Sequence, residues 1–251
     1  MQIIIPMAGL GERFSREGYQ IPKPLLEIHG KPAIEHIVNL FPGEHDFVFI
    51  CNDKHLKETN IESVLKSIKP NAKIVSINQH KLGPVSSLLS AQEHIKDEPT
   101  IVTYCDIYIK WNFEHFQNEI QKHNHDACLV CFKGFHPPLT RSGFYAGVKE
   151  KENLIAEEVK EKHSYSENKM DSWSSAGVYY FKSGSVLKKY LAQMLENGHS
   201  TNNEYYVSTV HNLMIKDGLK NGIYPVEYFI SWGNPQDLRE YLYWAKHFKK
   251  Q

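Results

Sequence analysis

Apolar positions in the first half of the chain fall into short runs separated by longer segments of helical period. Residues 3–5, 47–51, 73–77 and 100–104 read as buried strands, and residues near 32–40, 55–68 and 85–95 carry helical spacing. That order is β-α-β. Parallel strands joined by right-handed helical crossovers give an open α/β sheet whose ligand crevice lies beyond the carboxyl ends of the strands. Functional residues are therefore expected just after strands.

The second half is more mixed, with strand-like runs at 127–132, 143–148, 176–181 and 222–230 among helical patterns. These extend the sheet and wall the substrate side. Near the end, Leu238, Tyr241, Leu242, Ala245 and Phe248 form the apolar stripe of an amphipathic helix. The stripe reads as packing onto the body, with a homo-oligomer contact as the alternative. Without repeats, low-complexity tracts or a Gly/Ser/Pro linker, residues 1–251 read as one domain.

With 251 residues, 41% of them hydrophobic, the chain can bury a sizeable core. Lys+Arg and Asp+Glu are both 29, so no basic surplus draws it to nucleic acid or a membrane surface. A local cluster has to bind any phosphate. The apolar run before Gly9 is far shorter than a signal core or a spanning helix, so a cytoplasmic protein is expected. Four cysteines, at 51, 105, 128 and 131, are too sparse for a disulfide framework and read as reduced thiols. Cys128 and Cys131 have C-x-x-C spacing but no second pair, and read as core. His123 and His125 read as solvent-facing.

The most informative segment is Gly9-Leu10-Gly11-Glu12-Arg13-Phe14, directly after the first strand, followed by Pro22-Lys23-Pro24. Two glycines let successive backbone N–H groups turn toward an anion without Cβ obstruction. Arg13 and Lys23 add full charges, a combination suited to a pyrophosphate leaving group. A G-x-G alone could be a tight turn; here it is neither a Walker A loop nor a dinucleotide fingerprint. Asp106 follows the strand at 100–104, where a carboxylate suits Mg²⁺, which takes one or two carboxylates together with waters and phosphates. On position alone it could equally be a turn aspartate.

GLGERF followed by PKPLLEIHGKP resembles the signature of the sugar-phosphate nucleotidyltransferases. The resemblance implies a Rossmann-like, open, mixed and mainly parallel sheet flanked by helices, of the nucleotidyltransferase and GT-A type. Residues up to about 110 would form the nucleotide half, and the remainder the acceptor half with the C-terminal helix. It implies that Ala8, Gly9, Leu10, Gly11, Arg13 and Lys23 bind the triphosphate. Gln79, Gly83, Pro84 and Ser87 match the segment that contacts the nucleobase, although an ordinary helix start fits them too. Asp106 matches the metal ligand, with Mg²⁺ as cofactor, and Arg13, Lys23 and Asp106 form the catalytic set.

Glu161-Lys162 resembles an E-K-P segment whose lysine holds the acceptor phosphate, with Gly177 on the following glycine-containing strand and Glu204 on a substrate-contacting position. Two departures stand out: His163 replaces the proline, and Ser231 occupies the place of an aspartate that supplies a second metal ligand. The partners implied are an NTP and a phosphorylated small molecule, a sugar phosphate or another monoester such as phosphocholine or a phosphorylated amino acid amide. The segments 133–138 and 161–170 look like a capsule or surface-polysaccharide branch, which favours CTP. Competing readings are a metal-dependent glycosyltransferase, which would not need Arg13 and Lys23 around a triphosphate, and a non-catalytic nucleotide-binding module, for which Ser231 argues.

Overall fold

The four apolar runs of the first half are strands of one sheet in a computed structural model that describes residues 1–141, 145–198 and 200–249. In chain order the first half comprises β1 (Gln2–Met7), α1 (Glu12–Arg16), β2 (Glu27–Ile28), β3 (Lys31–Pro32), α2 (Ala33–Val38), β4 (Asp46–Asn52), α3 (Asp53–Glu58), α4 (Ile61–Ile68), β5 (Lys73–Ile77), α5 (Pro84–Ser90) and β6 (Thr100–Thr103). The second half adds β7 (Ile107–Lys110), α6 (Phe113–Lys122), β8 (Ala127–Phe132), β9 (Gly147–Glu150), β10 (Ala156–Lys160), β11 (Trp173–Phe181), α7 (Gly184–Glu196), α8 (Val207–Lys216), β12 (Asn221–Val226), β13 (Tyr228–Ser231) and α9 (Pro235–Phe248).

The main sheet runs β10-β9-β11-β6-β1-β4-β5, and β8 and β12 continue from β11. β6, β1, β4 and β5 are mutually parallel, whereas β11 is antiparallel to β6, β8 and β9. The architecture is the expected mixed, Rossmann-like sheet flanked by helices. From β1 the chain moves outward to β4 and β5, then returns to place β6 on the other side of β1. That reversal opens a crevice at the carboxyl ends of β1 and β6.

The apolar runs are continuous because both faces of the sheet are covered. Ile3, Ile5, Phe47 and Phe49 enter one core, and Ile4, Val48 and Ile50 enter the other. Cys128 and Cys131, an odd number of residues apart on β8, are split the same way, so they are buried thiols that cannot share a metal.

Several expected elements differ. The helix of 55–68 is broken into α3 and α4 because the Thr59 hydroxyl donates to the His55 carbonyl at 2.7 Å and accepts from Ile61 N–H at 3.3 Å, diverting the backbone. The helix of 85–95 ends at Ser90 and gives way to a separate turn at Gln92–His94. The run 222–230 is two strands in different sheets: Val226 and Phe229 face the same core three residues apart, which a straight strand cannot do. Of the strand expected at 143–148, Gly143 and Phe144 lie outside the described residues and β9 begins at Gly147. His125 is half-buried rather than solvent-facing, its ring seated where a Cβ on Gly222 would stand, and burial lowers its pKa to about 4. The stripe of α9 packs onto the body as expected at Leu238, Tyr241 and Leu242, but its last member, Phe248, is 63% exposed.

Candidate active site

The carboxyl ends of the parallel strands open into one cleft of about 1500 Å³. After β1 come Ala8, Gly9, Leu10 and Gly11; at the end of β4, Asn52; after β5, Gln79, His80, Lys81, Gly83, Pro84 and Ser87; after β6, Tyr104, Cys105 and Asp106. The loop after β1 turns on Gly11, whose φ of +64° suits glycine and whose carbonyl accepts the Phe14 and Ser15 N–H groups that start α1. Arg13 is exposed on α1 and lines the cleft. Asn52, buried at the end of β4, donates to the Ala8 carbonyl at 3.4 Å and buttresses the loop from below.

Lys23 arrives on a single 3-10 turn between Pro22 and Leu26. Its Nζ lies 2.9 Å from Asp106 Oδ2, with the two side chains 24% and 22% exposed. Burial works against the ammonium, but Asp106 and Cys105 outweigh it, so the Lys23 pKa stands above that of an ordinary lysine. Arg13 is close enough to oppose that charge, so the two cations converge on the same space.

The far side of Asp106 is closed by β13. Ser231 pairs across from Ile107, Trp232 N–H donates to the Asp106 carbonyl at 2.8 Å, and a Cβ on Gly233 would stand 3.3 Å from Asp106 Oδ2. Ser231 thus lies beside Asp106, and its hydroxyl accepts from Gly233 N–H at 3.3 Å. Among the described residues, no cluster of three or more His, Cys, Asp and Glu side chains could hold a metal ion. Among the same residues, Asp106 keeps one carboxylate oxygen without a hydrogen-bond partner, a donor set that fits Mg²⁺ carried largely by substrate phosphates and water.

The wall at 79–87 is held by a glycine. Gly83, at φ +85°, presses on the 201–206 segment so closely that a Cβ would come within 2.7 Å of the Tyr205 carbonyl and 3.2 Å of Glu204 Cβ. Gly83 therefore couples the Pro84–Ser87 turn to Glu204. Gln79 is exposed at the rim.

At the other end, β11 bulges at Gly177, where φ is +77°; the Gly177 carbonyl accepts Tyr104 N–H at 3.1 Å, and a Cβ would come within 2.9 Å of the Tyr104 ring. Glu161 bonds the Ser208 hydroxyl, and burial raises its pKa despite that bond and Lys162. Lys162, in the left-handed region at φ +54°, lines the cleft with its Nζ 5.8 Å from the Tyr206 ring. Lys160 does not line the cleft and pairs with Glu158 at 3.1 Å. Glu204 lies beside the Tyr206 hydroxyl.

Every candidate site residue singled out in the sequence lines this one cleft. Two others were missed. Arg141 lines it while bridging Asp237 and Glu240 of α9, and Tyr145 lies close to Ser231, Asp106 and Arg141. Neither carried a local signal in the sequence.

Residues 3–164 match the MobA-like NTP transferase domain family. Bifunctional protein GlmU of Clostridioides difficile (strain 630) is 27% identical over 231 residues, covering 88% of this chain and 46% of that protein. Glucose-1-phosphate cytidylyltransferase of Salmonella typhimurium (strain LT2) is 29% identical over 130 residues, 42% of this chain and 50% of that protein. The chain spans about half the length of these curated relatives. The crystal structure of a nucleoside-diphosphate-sugar pyrophosphorylase from Vibrio cholerae RC9 superposes with a TM-score of 0.75 at 20% identity, covering 96% of this chain and 99% of the other, a likeness of fold. Among the described residues no helix is long and apolar enough to cross a membrane. With a family match over most of its length and a sheet that carries the matched segments to one cleft, the chain belongs to the MobA-like NTP transferase domain family of nucleotidyltransferases.

Proposed function

We propose that the chain, acting as one domain, transfers a nucleoside monophosphate from an NTP to a phosphorylated small molecule and releases pyrophosphate. The observation that carries this reading is the convergence of Gly9–Gly11, Arg13 and Lys23 on Asp106 at the carboxyl ends of β1 and β6. Gln79, Gly83, Pro84 and Ser87 form the nucleobase wall. Glu161, Lys162, Gly177 and Glu204 form the acceptor end, with Lys162 on the acceptor phosphate.

A phosphate monoester is largely dianionic at neutral pH and needs no general base. Its oxygen attacks the α-phosphorus in line; the loop amides and Arg13 hold the triphosphate, and Lys23 meets the charge that builds on the leaving pyrophosphate. Asp106 would hold Mg²⁺, whose role is to neutralise phosphate charge. Catalysis is positioning and electrostatics without a covalent enzyme intermediate.

CTP is the favoured donor, which the likeness to a glucose-1-phosphate cytidylyltransferase supports, and the acceptor is a sugar phosphate or another monoester for surface-polysaccharide assembly. The work is cytoplasmic, where both reactants are found. Four NTPs tested against a library of phosphate monoesters, with Mg²⁺ and pyrophosphate release as readout, examine the proposal. Release that requires one NTP and one class of monoester is expected; release with no combination would refute it, and turnover of a preformed nucleotide sugar in its place would establish a glycosyltransferase.

A further inference from the structure

One hydrogen-bond chain in the wall at 79–87 has a direction set by its first member. The Leu82 N–H donates to His80 Nδ1 at 3.2 Å, and a backbone N–H can only donate, so Nδ1 is the unprotonated nitrogen of the ring. Nε2 then carries the proton, and its partner at 3.1 Å is Ser87 Oγ, which must accept. Burial lowers the pKa of His80 and keeps the ring neutral.

The three serines of α5 behave differently. Ser86 and Ser90 donate their hydroxyl protons back along the helix, to the Leu82 carbonyl at 3.4 Å and the Ser86 carbonyl at 2.9 Å. The Ser87 hydroxyl has no acceptor among the described residues, although the residue is only 5% exposed and borders the cleft. A buried hydroxyl proton without an acceptor is costly unless a ligand supplies one.

We infer that Ser87 presents a hydrogen-bond donor to an acceptor atom on the nucleobase edge, a carbonyl oxygen or an unprotonated ring nitrogen, and that His80 is the positioning residue that aims it. The inference rests on the reading that an NTP occupies this end of the cleft.

Two substitutions of His80 separate direction from shape. In His80→Gln the side-chain amide donates to Ser87 as the imidazole does; in His80→Glu the carboxylate accepts and turns the serine proton inward. CTP, UTP, GTP and ATP are titrated calorimetrically with Mg²⁺ into wild type, Ser87→Ala, His80→Gln and His80→Glu. Inorganic tripolyphosphate, which has no base, reports any change from the added charge, and thermal melts report folding. For the NTP that wild type binds tightest, Ser87→Ala and His80→Glu should lose about fivefold to tenfold in affinity relative to tripolyphosphate, the range of one neutral hydrogen bond. His80→Gln should stay within about twofold. If His80→Glu binds that NTP as His80→Gln does while Ser87→Ala is weakened, the direction is wrong and the nucleotide site stands. Unchanged binding by Ser87→Ala overturns the inference outright. Wild type that binds none of the four NTPs overturns both the inference and the reading beneath it.

Discussion

Lys23→Met removes the ammonium and keeps the apolar stem beside Phe14, whose ring centre is 5.6 Å from Nζ. Asp106 is left without its cation in a setting where the two side chains were 24% and 22% exposed. Breaking a fully buried pair costs roughly 3–5 kcal/mol and an exposed pair contributes about 0.2–1 kcal/mol, so this pair, partly solvated, should account for about 1–2 kcal/mol. In a chain of this size that corresponds to a fall in Tm of about 3–6 °C. Because the Lys23 pKa is raised, the contribution is intact at neutral pH and is lost only as pH climbs through that alkaline value. The kinetic effect is larger: a donor aimed at developing phosphate charge is worth about 10²–10³ in kcat. Thermal melts and pyrophosphate release measured on the same preparations separate the two effects. In an Asp106→Asn background the same change should cost little further stability, since the pair is already broken. A Lys23→Met enzyme with kcat within about threefold of wild type would refute the catalytic reasoning, and an unchanged Tm would refute the energetic one.

Lys162→Ala should raise the acceptor KM and lower kcat/KM by about one to two powers of ten with NTP affinity unchanged, while Lys160→Ala, at a residue that does not line the cleft, should alter little; steady-state kinetics in each substrate decide. Gly83→Ala puts a Cβ within 2.7 Å of the Tyr205 carbonyl at a φ of +85°, so it should destabilise by about 1–3 kcal/mol and raise the acceptor KM through displaced Glu204, seen in denaturant unfolding and kinetics. His211 is buried and neutral with its pKa lowered to about 4, so the unfolded chain takes up a proton first as pH falls and stability drops between about 6.5 and 4. The loss should approach about 3 kcal/mol, and His211→Gln should flatten the curve of Tm against pH over that window.

The parallel half was legible because β1, β4, β5 and β6 are buried on both faces and therefore appear as unbroken apolar runs. The positions after those strands followed from topology, and Lys23 from the Pro-Lys-Pro segment that resembles the family signature. What stayed hidden depended on contacts distant in sequence. Gly83 reads as helix punctuation, yet its positive φ serves the approach of Tyr205. Nothing local marks Tyr145 or Arg141, whose partners on β13 and α9 come from the end of the chain. The α9 stripe was legible as a packing face, since Leu238 is in the core and Tyr241 and Leu242 pack against it, but the body ends before the helix does and the last member, Phe248, remains 63% exposed. The break at Glu227 is invisible to alternation alone, because only the shared core of Val226 and Phe229 reveals it.

Following isotope from the NTP tests the central claim most directly. Each NTP is supplied with ³²P at the α-position in one reaction and at the γ-position in a parallel one, with Mg²⁺ and the phosphate monoester that supports turnover. The account predicts α-label in a nucleotide linked to the acceptor and γ-label in pyrophosphate. Recovery of γ-label on the acceptor, or of α-label only in free nucleotide, would contradict attack of the acceptor phosphate on the α-phosphorus.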